Sequence, residues 1–213
     1  MPEPASGGRP PTSHERRARR SWDASYLEGR PPWDIGRPQP GIVRLAAQGA
    51  FTGAVLDAGC GTGENALHVA SCGLSVLGVD VSETAVSTAR EKAAVSGVQA
   101  AFVVADALHL ERLGRTFDTV IDCGLFHTFD SGERRQYVAS LASVTGRGAI
   151  LYILCFSDVD PDVAGPHPVR EEELRASFGQ ADWLVSSVAP ERLETTFNEE
   201  GAPAWLATIE RTA

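Results

Sequence analysis

A glycine-rich segment, LDAGCGTGE at residues 56–64, is a part of the sequence that could bind a ligand. Gly59, Gly61 and Gly63 permit a tight turn and let a ligand approach the backbone closely. The dinucleotide fingerprint GxGxxG would place glycine at position 64, where Glu64 stands, and no GK[ST] follows as in a phosphate-binding loop. A carboxylate beside such a turn disfavours phosphate and suits a cationic ligand.

Three aspartates stand in or at the ends of successive apolar stretches. Asp80 follows Asp57 by 23 residues, and a carboxylate at that place can accept both hydroxyl groups of a ribose. Asp106 ends the next stretch in the same way and could meet the exocyclic amine of an adenine. Singly, each aspartate would be a cap or turn residue. Together, beside a glycine turn, they predict a ligand site.

The elements that must position these residues alternate along the chain. Predicted strands cover residues 54–59, 75–80, 100–107, 117–124 and 148–156, and predicted helices cover 41–50, 64–73, 82–97, 132–146 and 169–179. This alternation predicts an α/β fold with a parallel sheet covered on both faces, which binds ligands at the carboxyl ends of its strands. Two final strand-like runs, 183–197 and 203–212, predict an antiparallel hairpin at the sheet edge.

The chain ahead of the sheet divides into two segments. Residues 1–20 combine five arginines with proline, glycine and serine, which predicts a flexible basic tail. Residues 17–29 have a helical pattern, and PPWDIGRPQP at 31–40 has too much proline for a helix interior or a central strand. We predict that residues 21–40 form a lid whose Trp33 covers a ligand. The alternative is that Trp33 plugs the core.

Composition narrows the class of protein. The formal net charge is −9, and because residues 1–20 carry five arginines and two glutamates, the rest of the chain carries −12. Such an acidic body argues against nucleic acid as a partner. The longest apolar runs are too short to cross a bilayer. Four cysteines without a CxxC pair predict a reducing, cytoplasmic setting, and no histidine or acid spacing matches a zinc site.

The motifs LDAGCGTG, VLGVD and VVADA resemble those of class I S-adenosylmethionine-dependent methyltransferases, and the resemblance covers residues 41–213. It implies a Rossmann-like, doubly wound sheet of seven strands, mostly parallel, with an antiparallel C-terminal edge hairpin. It implies S-adenosyl-L-methionine as cofactor and S-adenosyl-L-homocysteine as product. The residues expected to contact the cofactor are Trp33, Asp57, Gly59, Cys60, Gly61, Gly63, Asp80, Val81, Asp106, Ala107 and Cys123.

A narrower resemblance rests on residues 21–40, DCGLFHTF at 122–129 and LCFSD at 154–158. These segments resemble thiopurine and thiol methyltransferases, and most of all the bacterial heterocyclic toxin methyltransferases. The resemblance implies methyl transfer to an O, N or S atom of a small, flat aromatic or heterocyclic acceptor. The residues expected to face that acceptor are Trp22, Tyr26, Asp34, Phe126, His127, Phe129 and His167.

Methyl transfer is an in-line displacement, and aligning acceptor and methyl can supply roughly 7–11 kcal/mol of the acceleration. A base is needed only for an acceptor that keeps its proton at neutral pH. His127 is the candidate catalytic base because an imidazole titrates near neutrality. The alternative is that His127 packs in the core or contacts the cofactor.

Two other functions fit the same architecture. A nicotinamide-dependent reductase is disfavoured by Glu64 and because the only lysine, Lys92, belongs to no Tyr-x-x-x-Lys pair. A non-catalytic cofactor-binding protein is the second alternative. The partner expected for the leading hypothesis is a small acceptor, without nucleic acid, membrane or metal, and the protein is expected to be a monomer or homodimer.

Overall fold

The computed structural model describes residues 9–160, 167–179 and 182–213, apart from the side chain of residue 199. Its strands in chain order are β1 (Ala54–Ala58), β2 (Ser75–Asp80), β3 (Ala100–Val104), β4 (Phe117–Cys123), β5 (Thr145–Phe156), β6 (Trp183–Thr195) and β7 (Asn198–Arg211). Its α-helices are α1 (Ser13–Ala18), α2 (Trp22–Leu27), α3 (Pro40–Ala47), α4 (Glu64–Ser71), α5 (Glu83–Ser96), α6 (Ser131–Ser143) and α7 (Glu171–Ser177). Two 3-10 helices cover Ala107–Leu113 and Phe126–Thr128.

All seven strands form one sheet in the order β3-β2-β1-β4-β5-β7-β6. The first five strands pair in parallel, while β7 runs antiparallel to both β5 and β6. The predicted mostly parallel sheet with an antiparallel C-terminal hairpin is therefore confirmed. Because the strand order reverses between β1 and β4, their carboxyl ends border a crevice.

Both faces of the central strands β1 and β4 are buried. In β1, Leu56 and Ala58 point into one hydrophobic cluster, and Val55 points into the other. In β4, Val120 and Ile121 divide in the same way. Strands covered on both faces have near-continuous apolar sequences, which explains why these strands could be located from the sequence.

Helix α5 shows how capping fixes an element beside the crevice. The Ser82 side chain accepts a hydrogen bond from the Ala85 amide at 3.0 Å, and Gly97 ends the helix in the left-handed conformation. Ala85, Val86 and Ala89 are fully buried. This face of small residues packs closely on the sheet, and the start of α5 is held next to the end of β2 by the bond from the Ser82 amide to Asp80.

The N-terminal segment differs from the expected tail. Residues 1–8 lie outside the described residues, but α1 begins at Ser13 with a capping box in which Thr12 and Glu15 exchange hydrogen bonds. The buried Glu15 carboxylate binds Arg9 at 2.6 Å, and the Ser13 amide donates to Glu133 of α6 at 2.6 Å. Within residues 9–20, acidic groups, including Glu133 on the body, bind the polar and cationic groups and hold α1 in place.

The helix expected over residues 17–29 is also divided. Arg19 ends α1 in the left-handed conformation with φ of 51°, and Ser21 then caps α2. This break turns the chain so that α1 and α2 lie at the crevice as two short pieces. Within the described ranges, no helix has the length and apolar content needed to traverse a bilayer.

Candidate functional site

The glycine loop between β1 and α4 has a backbone that only glycine adopts easily. Gly59, Gly61 and Gly63 have φ of 75°, 52° and 87°. A Cβ on Gly61 would lie 2.8 Å from the Tyr26 hydroxyl. The amide of Gly59 donates to the Val79 carbonyl at 2.8 Å, which fixes the loop against β2.

The Asp80 carboxylate holds the same loop from the end of β2. One oxygen accepts the Gly61 amide and the other accepts the Ser82 amide, each at 2.9 Å. Burial raises the pKa of this carboxyl above its ordinary value, and the amide donors oppose that shift. A carboxylate oxygen can accept more than one hydrogen bond, so Asp80 keeps capacity for hydroxyl groups of a ligand.

A cavity of about 290 Å³ opens beside this loop at the carboxyl ends of the parallel strands. It brings together most of the residues that the sequence predicted for the cofactor and acceptor. Those that line it are Trp22, Tyr26, Trp33, Asp34, Gly59, Cys60, Gly61, Asp80, Val81, Ala107, Cys123 and His127.

The segment of residues 21–40 covers the cavity. Trp33 is 39% exposed, donates from Nε1 to the Tyr26 hydroxyl at 3.0 Å and meets Trp22 edge to face at 5.5 Å between ring centroids. Asp34 accepts a hydrogen bond from Thr62 of the glycine loop at 2.7 Å. Trp33 therefore stands over the cavity rather than in the core.

The tip of the β6–β7 hairpin is joined to this cover. The Thr196 amide donates to the Pro32 carbonyl at 2.9 Å. The Gln39 side chain donates to the carbonyl of Glu194 and accepts from its amide, both at 2.9 Å. The hairpin therefore provides a wall of the cavity, and its contributing residues are Leu193, Thr195 and Phe197.

Glu64 lines the cavity, and its carboxylate forms an ion pair. Its carboxylate lies 2.7 Å from the Lys92 ammonium, which also donates to the Thr62 hydroxyl at 2.7 Å. The preference for a cationic ligand expected from Glu64 is therefore weakened by this ion pair. Asp80, which has no such cation among its hydrogen-bond partners, carries the acidic character of the site.

His127 lies in the 3-10 helix after β4 and is 5% exposed. Its Nδ1 is 3.4 Å from the Phe156 amide, which donates to it, and the two rings are 4.5 Å apart. Burial, with smaller contributions from His14, His167 and Arg134, lowers the pKa of His127 to about 3. The imidazole is therefore held neutral with one nitrogen occupied, which disfavours the general-base role.

Three residues predicted to contact the cofactor lie outside the cavity lining. Gly63 packs closely against Ala89 and Phe102. Asp106 caps the 3-10 helix at 107–113, where its carboxylate accepts the Leu108 amide at 3.0 Å. This matches the cap that a lone strand-end aspartate often forms.

Asp57, the third of these residues, is buried beneath the glycine loop. It is 1% exposed, and its Oδ2 has no hydrogen-bond partner among the described residues. Burial and the neighbouring charge of Asp122 raise its pKa to about 7. Asp57 therefore lies beneath the glycine loop and does not line the ligand cavity.

The two phenylalanines expected to hold the acceptor point into the core. Phe126 is fully buried and stacks on Phe178 at 6.0 Å, and Phe129 packs against Tyr137 at 5.2 Å. The turn at Gly124 and the 3-10 helix direct both rings into the core, so neither faces the cavity as expected. The same turn carries His127 to the cavity instead.

His167 lies beside the cavity wall but is not part of the lining. It has a φ of 60°, contacts Arg17 and meets His14 edge to face at 5.9 Å. His14 itself lines the cavity, as does Phe156 at the end of β5. The sequence analysis missed His14 because its segment was assigned to the tail, and the one local signal was the capping pattern TSHE at residues 12–15, which contains His14.

The geometry of the loop can be tested against the cofactor that the motifs imply. A ligand can approach the backbone at Gly59 and Gly61, where a side chain would meet Leu125 or Tyr26, and Asp80 offers acceptors for ribose hydroxyl groups. Trp33 adds an aromatic face that attracts a cation such as a sulfonium. These groups fit S-adenosylmethionine.

Comparison with known proteins agrees with that fit. A family model described as a methyltransferase domain matches residues 55–148. The chain is 40% identical over 170 residues to 2-heptyl-1-hydroxyquinolin-4(1H)-one methyltransferase of Mycobacteroides abscessus, covering 78% of this chain and 74% of that protein. This chain belongs to the S-adenosylmethionine-dependent methyltransferase family.

Solved structures place it more narrowly. A structure described under the conversion of a disulfide bond into a thioacetal group during echinomycin biosynthesis is 41% identical, with a TM-score of 0.77 and 86% of each chain covered. Magnesium protoporphyrin IX methyltransferase from Synechocystis PCC 6803 with bound S-adenosylmethionine is 28% identical, with a TM-score of 0.61, covering 80% of this chain and 76% of that one. The protein is a small-molecule methyltransferase that uses S-adenosylmethionine, and the reductase alternative is set aside.

Proposed function

We propose that the acceptor is a small, flat heterocycle methylated on an O, N or S atom that ionises readily. The observation that carries this proposal is the aromatic enclosure of one cavity between the lid and the hairpin. Rings from Trp22, Trp33, Phe156 and Phe197 line it together with Leu193. Flat aromatic walls favour flat aromatic ligands, because stacked and edge-to-face contacts stabilise both.

The other part of the cavity would hold the cofactor. Gly59 and Gly61 leave room beside the backbone, Asp80 accepts hydrogen bonds from hydroxyl groups, and Trp33 covers the cationic centre. When bound, S-adenosylmethionine supplies an activated methyl group. The chain then needs only to orient the acceptor and exclude water, which the lid and hairpin do by closing two sides of the cavity.

The state of His127 supports an acceptor that ionises easily. Its Nδ1 is engaged by the Phe156 amide, and its pKa of about 3 makes it a weak base at neutral pH. An acceptor such as a hydroxy-heterocycle or a thiol reaches the site already ionised in part, so it depends less on a base. The similarity to a methyltransferase named for a hydroxyquinolinone also supports this class.

Transfer of a radiolabelled methyl group to a panel of acceptors tests the proposal. The panel pairs hydroxyquinolones, hydroxypyridines and aryl thiols with the same rings lacking the hydroxyl or thiol group. We expect transfer to ionisable members and none to the matched rings. Binding of S-adenosylmethionine without transfer to any member, together with transfer to an aliphatic or peptide substrate, would overturn it.

Two further properties are proposed together with this function. All four cysteines are free, and Cys60 and Cys155 are buried, which supports a reducing, cytoplasmic setting. We also propose a monomer or homodimer, which sedimentation equilibrium of the purified protein would test. A larger assembly would contradict the second proposal and leave the acceptor class unaffected.

A further inference from the structure

Helix α1 places a second histidine in the cavity. The His14 ring lines the cavity and stacks on Trp22, with 4.5 Å between ring centroids and 9° between ring planes. Trp22 in turn meets Trp33 of the lid. His14 therefore belongs to the aromatic enclosure in which the acceptor is proposed to bind.

The hydrogen bonding of His14 differs from that of His127. Its Nδ1 is buried and has no partner among the residues that the structure describes, whereas the Nδ1 of His127 accepts the Phe156 amide. A hydrogen bond at one ring nitrogen fixes the tautomer of an imidazole. Because Nδ1 of His14 lacks this bond, the tautomer is not fixed through that atom.

Charged and titratable groups lie around His14. Burial and then Arg17 lower its pKa from the ordinary value, while Glu15 acts in the opposite direction. The other titratable groups near it are His167, which meets its ring edge to face, and His127, which also lines the cavity and interacts with it electrostatically. The Nδ1 of His127 is engaged by the Phe156 amide, and burial lowers its pKa to about 3, so the hydrogen bonding favours His14 over His127 as the base in this cavity.

We propose that His14 is the catalytic general base for acceptors that still carry a proton. The inference rests on the proposed function, because it needs an acceptor in the aromatic enclosure. The bond between the acceptor atom and its proton breaks, a new N–H bond forms on the imidazole, and the electron pair stays on the acceptor atom. The described residues contain no group of three or more histidine, cysteine or acidic side chains suited to a metal ion, and the role proposed here requires none.

Kinetics with two acceptors that share a ring but differ in acidity test this role. At pH 7 one is mostly protonated, with a pKa of about 10 as for a phenol, and the other is substituted so that it is mostly ionised. General-base catalysis contributes typically 10²–10⁴-fold. We expect His14→Gln to lower kcat/KM by roughly that factor for the protonated acceptor and by less than about threefold for the ionised one.

Matched variants distinguish general-base catalysis by His14 from an effect of His14 on packing. His109→Gln alters a histidine that contacts Glu111 and Gln136 outside the cavity, so we expect unchanged rates with both acceptors. Equal losses for both acceptors in His14→Gln would show that His14 only orders the lid. A loss selective for the protonated acceptor in His127→Gln but not in His14→Gln would assign the base to His127. Either result overturns the proposal.

A spectroscopic measurement keeps the inference testable without turnover. A chromophoric acceptor such as a nitrophenol or hydroxyquinoline is bound to the protein saturated with S-adenosyl-L-homocysteine. For a nitrophenol, which is partly ionised near neutral pH, we expect a larger fraction of the anion band in the wild type than in His14→Gln, with similar affinities for S-adenosyl-L-homocysteine. Identical spectra in both proteins would overturn the role of His14. Failure of every acceptor to bind would instead count against the proposed function.

Discussion

The Asp80 carboxylate accepts a hydrogen bond from the backbone amide of Gly61 at 2.9 Å. This contact joins the end of β2 to the loop that follows β1, so the acidic group and the glycine turn hold each other in position. The Tyr26 hydroxyl lies against the same glycine from the lid side. Three separate parts of the chain therefore meet at Gly61, and a change in any of them alters the cofactor site.

Replacing Asp80 with asparagine removes the charge of the group proposed to accept the ribose hydroxyls. Hydrogen bonds to charged groups contribute about 1.5–3 kcal/mol, so we expect S-adenosylmethionine affinity to fall roughly 10- to 150-fold. Isothermal titration calorimetry measures the loss. Asp106→Asn is the matched control, because Asp106 caps a 3-10 helix outside the cavity lining. Equal losses in the two variants would contradict the assignment and restore Asp106 as a cofactor ligand.

The Trp33 ring is expected to recognise the positive charge of the sulfonium. Cation–π contacts contribute about 0.5–2 kcal/mol, so Trp33→Ala should weaken S-adenosylmethionine binding by roughly 2- to 30-fold. S-adenosyl-L-homocysteine lacks the charge, and its binding should weaken less. Trp33→Phe keeps a ring and should retain most of the preference. If Trp33→Ala weakens both ligands equally, Trp33 acts only as a cover.

The contact between α1 and α6 is expected to hold the lid over the cavity, because His14 of α1 stacks on Trp22 of the lid. Ser13 contacts the Glu133 carboxylate through both its amide and its hydroxyl. We expect Ser13→Ala to raise the acceptor KM by about two- to tenfold, because a hydrogen bond contributes about 0.5–1.5 kcal/mol net and the Ser13 amide keeps its own bond to Glu133. Trypsin should also cleave at Arg16 and Arg17 faster, since α1 opens more often. Unchanged KM and cleavage, as in the exposed control Ser96→Ala, would argue against a closing role.

Stability should depend on pH through Asp57. Because its pKa is raised to about 7 in the folded protein, the unfolded chain releases this proton at lower pH. The contribution of Asp57 is therefore fully present below about pH 4 and is lost as pH rises through 7. Asp57→Asn removes this loss, so its free energy of unfolding relative to wild type should increase by on the order of 2–4 kcal/mol between pH 4 and pH 8. Urea unfolding at several pH values measures the difference, and a constant difference would contradict the assignment.

The fold followed from the sequence where local patterns and burial agree. Largely apolar stretches marked β1 and β4 because both faces of those strands are covered. Gly59 and Gly61 marked the ligand loop because the turn requires positive φ and a ligand must approach its backbone. In these cases the local sequence determines the local conformation without help from distant residues.

Side-chain direction after β4 could not be derived in the same way. Phe126, His127 and Phe129 are close in the sequence, yet the turn at Gly124 sends the two phenylalanines into the core and the histidine to the cavity. Phe126 and His127 lie in a 3-10 helix and Phe129 follows in an extended conformation, so the spacing of these residues in the sequence does not give the directions of their side chains. The acceptor role expected for the phenylalanines was therefore wrong, although the position of the segment was right.

The role of the N-terminal segment depends on partners far along the chain. Ser13 is separated by 120 residues from Glu133, which holds α1 in place. Arginine-rich composition alone predicted a solvated tail, because nothing local to α1 reveals an acidic partner on α6. His14 could be assigned to the cavity only from the folded structure.

The ion pair between Lys92 and Glu64 places a single reactive side-chain amine beside the glycine loop. Lys92 is the only lysine in the sequence, and its ammonium lies 2.7 Å from the carboxylate at the start of α4. An amine-reactive fluorophore can therefore label only one side chain, that of Lys92, which lies next to the cofactor loop. Such a dye would report on loop ordering, whereas coupling the enzyme to a support through the same amine would obstruct the loop.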